Sequence, residues 1–353
     1  MRLKILLIGP YPPPHGGISV HVLGAYRQLT DAGVPCRVLH TERRPEQGGT
    51  YARAWQWARF IWELVRHARQ GWTLHLHTNG HNWKSWMLAA VCGLAGRRKG
   101  KCLLTLHSGI APGYLRSAPA SQRVMARLAC SLFTRVVCVS PEIRTAVLKL
   151  GVSTEQVDVL PAYLGPRKPA ISLEANLVEW LAGHRPVLST TLFFRPEYGF
   201  ELLLAGLARL RRLRPDLGCV VMGSGEQRAQ AERQIRENNL EHNVMLLGDV
   251  DHDTCLSLIG SSNVFVRPTL QDADSVSVRE ALSMGIPVVA SNTGTRPSGV
   301  MLFEKGNVDD MLAKLDLALG APIGLRPHSA DNVGRLLDIY RSVAAPEKRY
   351  VAA

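Results

Sequence analysis

The 353-residue sequence has no apolar run long enough to cross a bilayer: its longest, Trp86 to Gly96, falls well short of the ~20 residues required. It has no CxxC pair either. The seven cysteines, Cys36, Cys92, Cys102, Cys130, Cys138, Cys219 and Cys255, are scattered and odd in number, which argues against a disulfide framework and a thiolate zinc site. A reducing cytosol is the expected setting. The opening MRLKILLIGPYPPP is apolar only from Ile5 to Ile8 before Gly9 and Pro10, too short for a secretory leader, and reads as a first strand. Low-complexity tracts and internal repeats are missing, as are helix-turn-helix, finger or aromatic-basic strand modules, so a nucleic-acid partner is not expected. Acid is scarce in one half only. Residues 1 to 165 hold 21 Lys+Arg against 7 Asp+Glu, a net +14, whereas residues 166 to 353 hold 21 against 22, a net −1.

What is present is a globular composition, 46% hydrophobic and 20% charged, at a length that suits two domains of roughly 150 to 180 residues. Strand-like runs at Lys4 to Ile8, Cys36 to Leu39, Leu74 to His77, Leu103 to His107 and Val136 to Ser140 alternate with helix-like stretches. This predicts a parallel, doubly wound α/β sheet. The pattern pauses at VLPAYLGPRKP (159 to 169), a natural boundary. It resumes with strands at Val187 to Phe193, Cys219 to Met222, Val244 to Leu247, Val264 to Val266 and Val288 to Ala290, and helices at Phe200 to Leu213, Gln227 to Asn238 and Val278 to Met284. The expected organisation is a Rossmann-like domain over 1–165, a second over 166–330 facing it across a cleft, and a final helix within 331–353 packing back toward the first. Ligands of such sheets bind beyond the carboxyl ends of the strands, so the loops there are searched first.

The segment LQDADSVSVREALSMGIPVVASN (270 to 292) places Asp272 and Glu280 eight positions apart across a helix start. Ser277-Val278-Arg279-Glu280 is a capping box, which by itself accounts for Glu280. It leaves Asp272 and Asp274 unexplained. A helix start offers free N–H groups and the positive end of the macrodipole, so the amides of Ser275, Val276 and Ser277 could hold a diphosphate. Flanking carboxylates would then read sugar hydroxyls, Glu280 on a ribose and Asp272 on a transferred hexose.

Other candidates carry a structural reading beside a functional one. Gly16-Gly17 is either a rigid turn or a place where backbone approaches a phosphate or acceptor. Gly223-Ser224-Gly225 is a lone Gly-x-Gly turn. His107 ends a strand, where its ring would meet a ligand. His75, His77 and His81 resemble a metal cluster, but with no acid nearby they are read as packing and loop hydrogen bonds. In YARAWQWARFIWELVRHARQGW (51 to 72) a stripe of Tyr51, Trp55, Ala58, Trp62 and Val65, widened by Trp57, Phe60 and Leu64, is expected to pack on the sheet. Together with GRRKGK (96 to 101) and the basic excess, this segment also suits a peripheral membrane face.

Taken in order, GPYPPPHGGISVHV, LTLHSG, VVMGSGE, NVFVRPT and the 270 to 292 segment resemble the retaining nucleotide-sugar glycosyltransferases of family four over most of the chain. Asp272 falls on that family's first acid and Glu280 on its second, followed by the Gly-x-Pro-Val-Val-Ala run at 285 to 290. The resemblance implies a GT-B fold. It also implies transfer of a hexose with retention, no metal or other cofactor, and a His107 that contacts the donor sugar. The leaving diphosphate itself would assist proton removal from the acceptor. The sequence departs from the family where an Arg and a Lys usually bind the diphosphate: Phe193 and Tyr198 stand there, and Arg195 is the nearest cation. The implied partners are a nucleotide-sugar donor and a saccharide or lipid-linked acceptor, as in surface-polysaccharide assembly. The basic half would face an anionic membrane, on the inner side of the plasma membrane. A sugar-nucleotide epimerase of the same fold and a non-catalytic sugar-nucleotide binding protein are the alternatives.

Overall fold

The computed structural model describes residues 3–13, 15–41, 50–97, 101–165, 172–320 and 331–344, with main chain alone over 50–56. Its twelve strands are β1 Ile5–Gly9, β2 Cys36–His40, β3 Thr73–Thr78, β4 Cys102–Leu106, β5 Arg135–Cys138, β6 Val157–Val159, β7 Val187–Thr191, β8 Gly218–Met222, β9 Val244–Gly248, β10 Val264–Arg267, β11 Val288–Ser291 and β12 Val300–Phe303. They form two six-stranded sheets, ordered β2-β1-β3-β4-β5-β6 and β12-β11-β10-β7-β8-β9. Every pairing between these strands is parallel.

Parallel sheets must be covered on both faces, and the sequence meets that demand with near-continuous apolar strands. Neighbouring residues of one strand therefore enter opposite cores. Leu188, Val221, Val266 and Val289 pack with the helices Phe200–Leu213, Arg228–Glu237 and Val308–Gly320. Val187, Val220, Phe265 and Val288 pack with His252–Gly260 and Val276–Ser283. Each fully buried aliphatic side chain contributes ~1.5–3 kcal/mol relative to exposure.

The chain divides into two compact units, one made of residues 1–12, 18–164 and 331–353, the other of 13–17 and 165–330. Within the first, the helix Asn332–Ala344 places Leu336, Tyr340 and Val343 in the core beside Ile5, Leu7, Leu103 and Val137. Among the described residues, no helix is long and apolar enough to cross a membrane.

Three local expectations shift. The strand expected to reach Phe193 ends at Thr191, because the next residues bend to pair with another loop. The helix expected from Val278 starts at Val276 with Ser275 as its N-cap, so the Ser277–Glu280 capping box does not form. On the helix Thr50–Arg69, Leu64 is buried as expected and Phe60 and Val65 are half-buried, but Trp57, Ala58 and Trp62 face solvent while His67 and Ala68 are buried, so the inward face is displaced to one side of the expected stripe. Tyr51 and Trp55, also in that stripe, have side chains outside the described residues.

Candidate functional site

The order of the second sheet reverses between β7 and β10, so the loops after these two strands diverge and leave a crevice at their carboxyl ends. These loops carry several of the sequence candidates. The loop after β7 holds Phe193, Arg195 and Tyr198; the loop after β10 holds Asp272, Asp274 and Ser275. They are fastened at Gly199, whose φ of +69° is open to glycine, and where any Cβ would collide with the Pro268 carbonyl.

Across this crevice runs a chain of charge. The Arg267 guanidinium lies 5.3 Å from the centroid of the Tyr198 ring and donates from Nε to Asp272 Oδ2 at 3.0 Å. Arg267 Nη1 also donates to the Thr191 carbonyl at 2.6 Å. On its other side Asp272 accepts from Arg296 Nη1 at 2.9 Å and from Thr269 Oγ1 at 3.2 Å. Burial by itself would raise the Asp272 carboxyl, but Arg267 and Arg296 outweigh it and hold it well below the usual carboxylate range. Burial likewise pushes the Tyr198 hydroxyl up. Next to this network, Asp274, whose side chain is fully buried, accepts from Arg279 Nε at 2.6 Å. Two arginines against Asp272, with the Asp274–Arg279 pair neutral, leave one positive charge in excess in this loop cluster, set against the Glu280 carboxylate one turn into the helix.

No side chain caps that helix at its Ser275 N-cap. The Ser277 hydroxyl instead accepts from Thr191 Oγ1 at 2.8 Å and lies 3.2 Å from Ser275 Oγ, tying the helix to the end of β7. Glu280, one turn on, is 7% exposed and binds His252 Nε2 through Oε1 at 2.6 Å. Asp272 and Glu280 are thus both held, but by different partners. Arg195 is exposed, its guanidinium 5.9 Å from the Phe193 ring centroid.

Gly223 and Gly225, after β8, have φ of +134° and +155°. A Cβ at Gly223 would run into the Leu192 carbonyl, and one at Gly225 would lie 2.7 Å from the Phe194 nitrogen. Leu192 N–H donates to the Met222 carbonyl at 2.9 Å and Phe194 N–H to the Ser224 carbonyl at 3.0 Å. These glycines are required so that two strand-end loops can zip together.

In the first unit the order reverses between β1 and β3. Gly17, which with Gly16 is grouped with the second unit, opens the helix Gly17–Asp31, and a Cβ there would meet nothing within 4 Å; Gly16 directly precedes it. His107 follows β4, partly buried, and its Nε2 lies 3.2 Å from His77 Nδ1. His75 and His77, expected to pack, are 0% and 1% exposed with ring centroids 4.0 Å apart. His75 bonds the Tyr340 hydroxyl at 2.5 Å and Thr105 Oγ1 at 2.7 Å, while His81 bonds Ser108 Oγ at 2.8 Å.

Sequence reasoning missed Arg267, Arg296, His252 and His21. Arg267 carried a signal, a lone charge closing the apolar run NVFV, since a cation at a buried strand end needs a partner. The other three have their partners 24, 28 and 141 positions away and gave none.

Two doubly wound parallel sheets in one chain mark the GT-B architecture, the class of this fold. Residues 15–162 match the sequence pattern of Glycosyltransferase Family 4 and residues 185–321 that of glycosyl transferases group 1. The chain belongs to the family-four glycosyltransferases. It is 24% identical over 217 residues to a phosphatidylinositol N-acetylglucosaminyltransferase subunit of Arabidopsis thaliana, a match covering 60% of this chain and 47% of that one. To phosphatidyl-myo-inositol mannosyltransferase of Propionibacterium freudenreichii it is 29% identical over 154 residues, 40% of this chain and 38% of that one. These matches span less than half of each relative. Among solved structures, HepE of Anabaena in complex with UDP and glucose superposes with a TM-score of 0.68 at 16% identity, covering 98% of this chain and 100% of that one. Sucrose-phosphate synthase of Thermosynechococcus elongatus superposes at 0.66 and 19% identity, covering 97% and 96%. At these identities the likeness is one of fold.

Proposed function

We propose that the protein transfers a hexose from a nucleotide diphosphate sugar to an acceptor with retention of configuration. The observation that carries this reading is the uncapped helix start at 275–277 beside an excess positive charge at the switch point of the second sheet. Amides and helix dipole would take the diphosphate, and Arg195, exposed at the neighbouring loop, would add a mobile cation. Glu280, held by His252 through Oε1, keeps Oε2 for a ribose hydroxyl. Asp272, locked by two arginines, acts by fixing the loop and its field rather than by swinging onto the sugar. His107 would orient the transferred sugar. The leaving diphosphate would take the acceptor's proton, so the protein's own contribution is positioning and charge stabilisation, and no metal is required for the step. The nucleotide-sugar donor is supported by the UDP complex among the structural neighbours.

A thermal-shift screen with UDP, GDP, ADP and dTDP tests the donor site, since a ligand of the folded state raises its stability. One nucleotide is expected to stabilise, and Glu280→Ala to weaken it about tenfold while unfolding stays cooperative. Unchanged affinity in that variant would remove Glu280 from the site.

The acceptor is proposed to be lipid-linked and to be met at an anionic membrane face, where the protein would sit peripherally. Three neighbouring helices, Thr50–Arg69, Trp83–Arg97 and Ala120–Ser131, expose Trp57, Ile61, Trp62, Trp83, Met87 and Leu128. Arg59, Arg66, Lys84, Arg123 and Arg127 are exposed among them, and Glu63 is the only acid in the three segments. Apolar side chains flanked by cations suit an interfacial surface, each cation adding ~1 kcal/mol near anionic lipid. Vesicles containing phosphatidylglycerol should retain the protein at low salt, and Trp57→Ala with Trp62→Ala should release it. Equal retention by phosphatidylcholine alone would defeat the charge argument.

A further inference from the structure

Beside the strand-end His107 stands a histidine that the transfer reaction does not use. His21, on the helix after β1, is 6% exposed, with its ring centroid 4.8 Å from that of His107 and 5.1 Å from that of His77. One ring nitrogen from each of His21, His77 and His107 lies within 4.8 Å of the others. The pair His77 Nδ1 and His107 Nε2 is already at 3.2 Å. Three nitrogens on a tetrahedral ion, each at ~2.0–2.1 Å, are about 3.4 Å apart, so the third nitrogen needs to move by little more than 1 Å.

We propose that His21, His77 and His107 form a binding site for a first-row transition-metal ion of the zinc class. One feature beyond the spacing points to a ligand. His21 Nδ1 is 2.5 Å from the Ala162 carbonyl, which obliges Nδ1 to carry the proton and leaves the Nε2 lone pair as the ligating atom. That is the outer-shell arrangement by which proteins orient metal-bound imidazoles.

The neighbours make the set selective. His75 is no ligand, because Tyr340 and Thr105 occupy both its nitrogens; it packs against His77 and steadies that ring. No carboxylate belongs to the trio. Neutral imidazoles alone suit Zn²⁺, Co²⁺, Ni²⁺ or Cu²⁺ and not Mg²⁺ or Ca²⁺. The ion is a brake rather than a cofactor: on the reading in which His107 orients the sugar, an occupied triad withdraws it.

The test uses the full chain stripped with a chelator and titrated with Co²⁺, read by visible absorption without turnover, so that failure here leaves the transferase reading standing. One equivalent of Co²⁺ should give the intense bands of a four-coordinate site, displaced by one equivalent of Zn²⁺ and indifferent to excess Mg²⁺. His21→Gln and His107→Gln should each weaken Co²⁺ binding at least tenfold, and His81→Gln, outside the trio, should leave the spectrum unchanged. His107 is partly buried, so its variant serves should His21→Gln fail to fold. No stoichiometric bands in the unmodified protein, or bands that survive His107→Gln, would overturn the site.

Discussion

Both sheets reverse their strand order beside their first strand, between β1 and β3 and between β7 and β10, but fill the ground beside the reversal with opposite chemistry. In the first unit it holds four histidines, His21, His75, His77 and His107, with ring contacts of 4.0 to 5.4 Å. In the second it holds fixed ions: Asp272 between Arg267 and Arg296, and Asp274 against Arg279. One unit buries polar groups by keeping them neutral, the other by pairing opposite charges. Desolvation opposes charge in both. What differs is where the compensation comes from, and with it the pH at which each arrangement fails.

Acidification should separate the two most strongly. The unfolded chain protonates histidine near pH 6.5, whereas folded His21 titrates at about 4 and His75 at about 3. Between those values the unfolded state holds more protons, so the first unit loses stability as pH falls through 6.5 toward 4, at up to about 1.4 kcal/mol per pH unit for each histidine. Asp272 is depressed instead; its contribution is complete at neutral pH and fades only below about pH 4. Amide exchange read peptide by peptide at pH 7, 5.5 and 4.5 should show the first sheet opening while the second stays protected. Simultaneous loss in both would break the comparison.

Next in size is Arg267→Met. Removing one partner of a buried ion pair costs about 3–5 kcal/mol, reduced here by Arg296. Urea denaturation should show a loss of about 3 kcal/mol, with exchange accelerated in the second unit. A loss under about 1 kcal/mol would mean the charge chain is not a structural unit.

The glycines give the smallest and sharpest contrast. Gly223→Ala must accept φ of +134° and a clash with Leu192 and should cost about 2 kcal/mol or more, whereas Gly17→Ala meets nothing and should be within about 0.5 kcal/mol of neutral. Thermal denaturation of the two variants checks both. If Gly17→Ala keeps its stability but loses transfer, the open space at that helix start is used by a ligand.

Much of this fold could be read from periodicity, because strands covered on both faces leave apolar runs such as ILLI and CVVM. The edge strands β6 and β12 escaped notice: three and four residues long and partly exposed, they carry too little pattern. The helix at 276 was misplaced by two residues because Ser277-x-x-Glu280 imitates a capping box, while Glu280 answers to a histidine 28 positions away. The same reason hid most of the site. Asp272 and Glu280 were visible as acids, but what an acid does depends on its partners, and Arg296 and His252 are joined to them only by the topology. His21 sat on an apolar helix face, where periodicity registers position and not chemistry.

The hydroxyl of Tyr340 reaching His75 has a consequence for synthesis. These residues are 265 positions apart, and the helix that carries Tyr340 fills the first unit's core. A ribosome delivers residues 165–330 as one continuous stretch, ready to collapse while translation proceeds, but it cannot supply the helix that completes the earlier unit until that stretch has been made. The half made first is therefore finished last, and the second sheet is in place before the histidines are sealed from water.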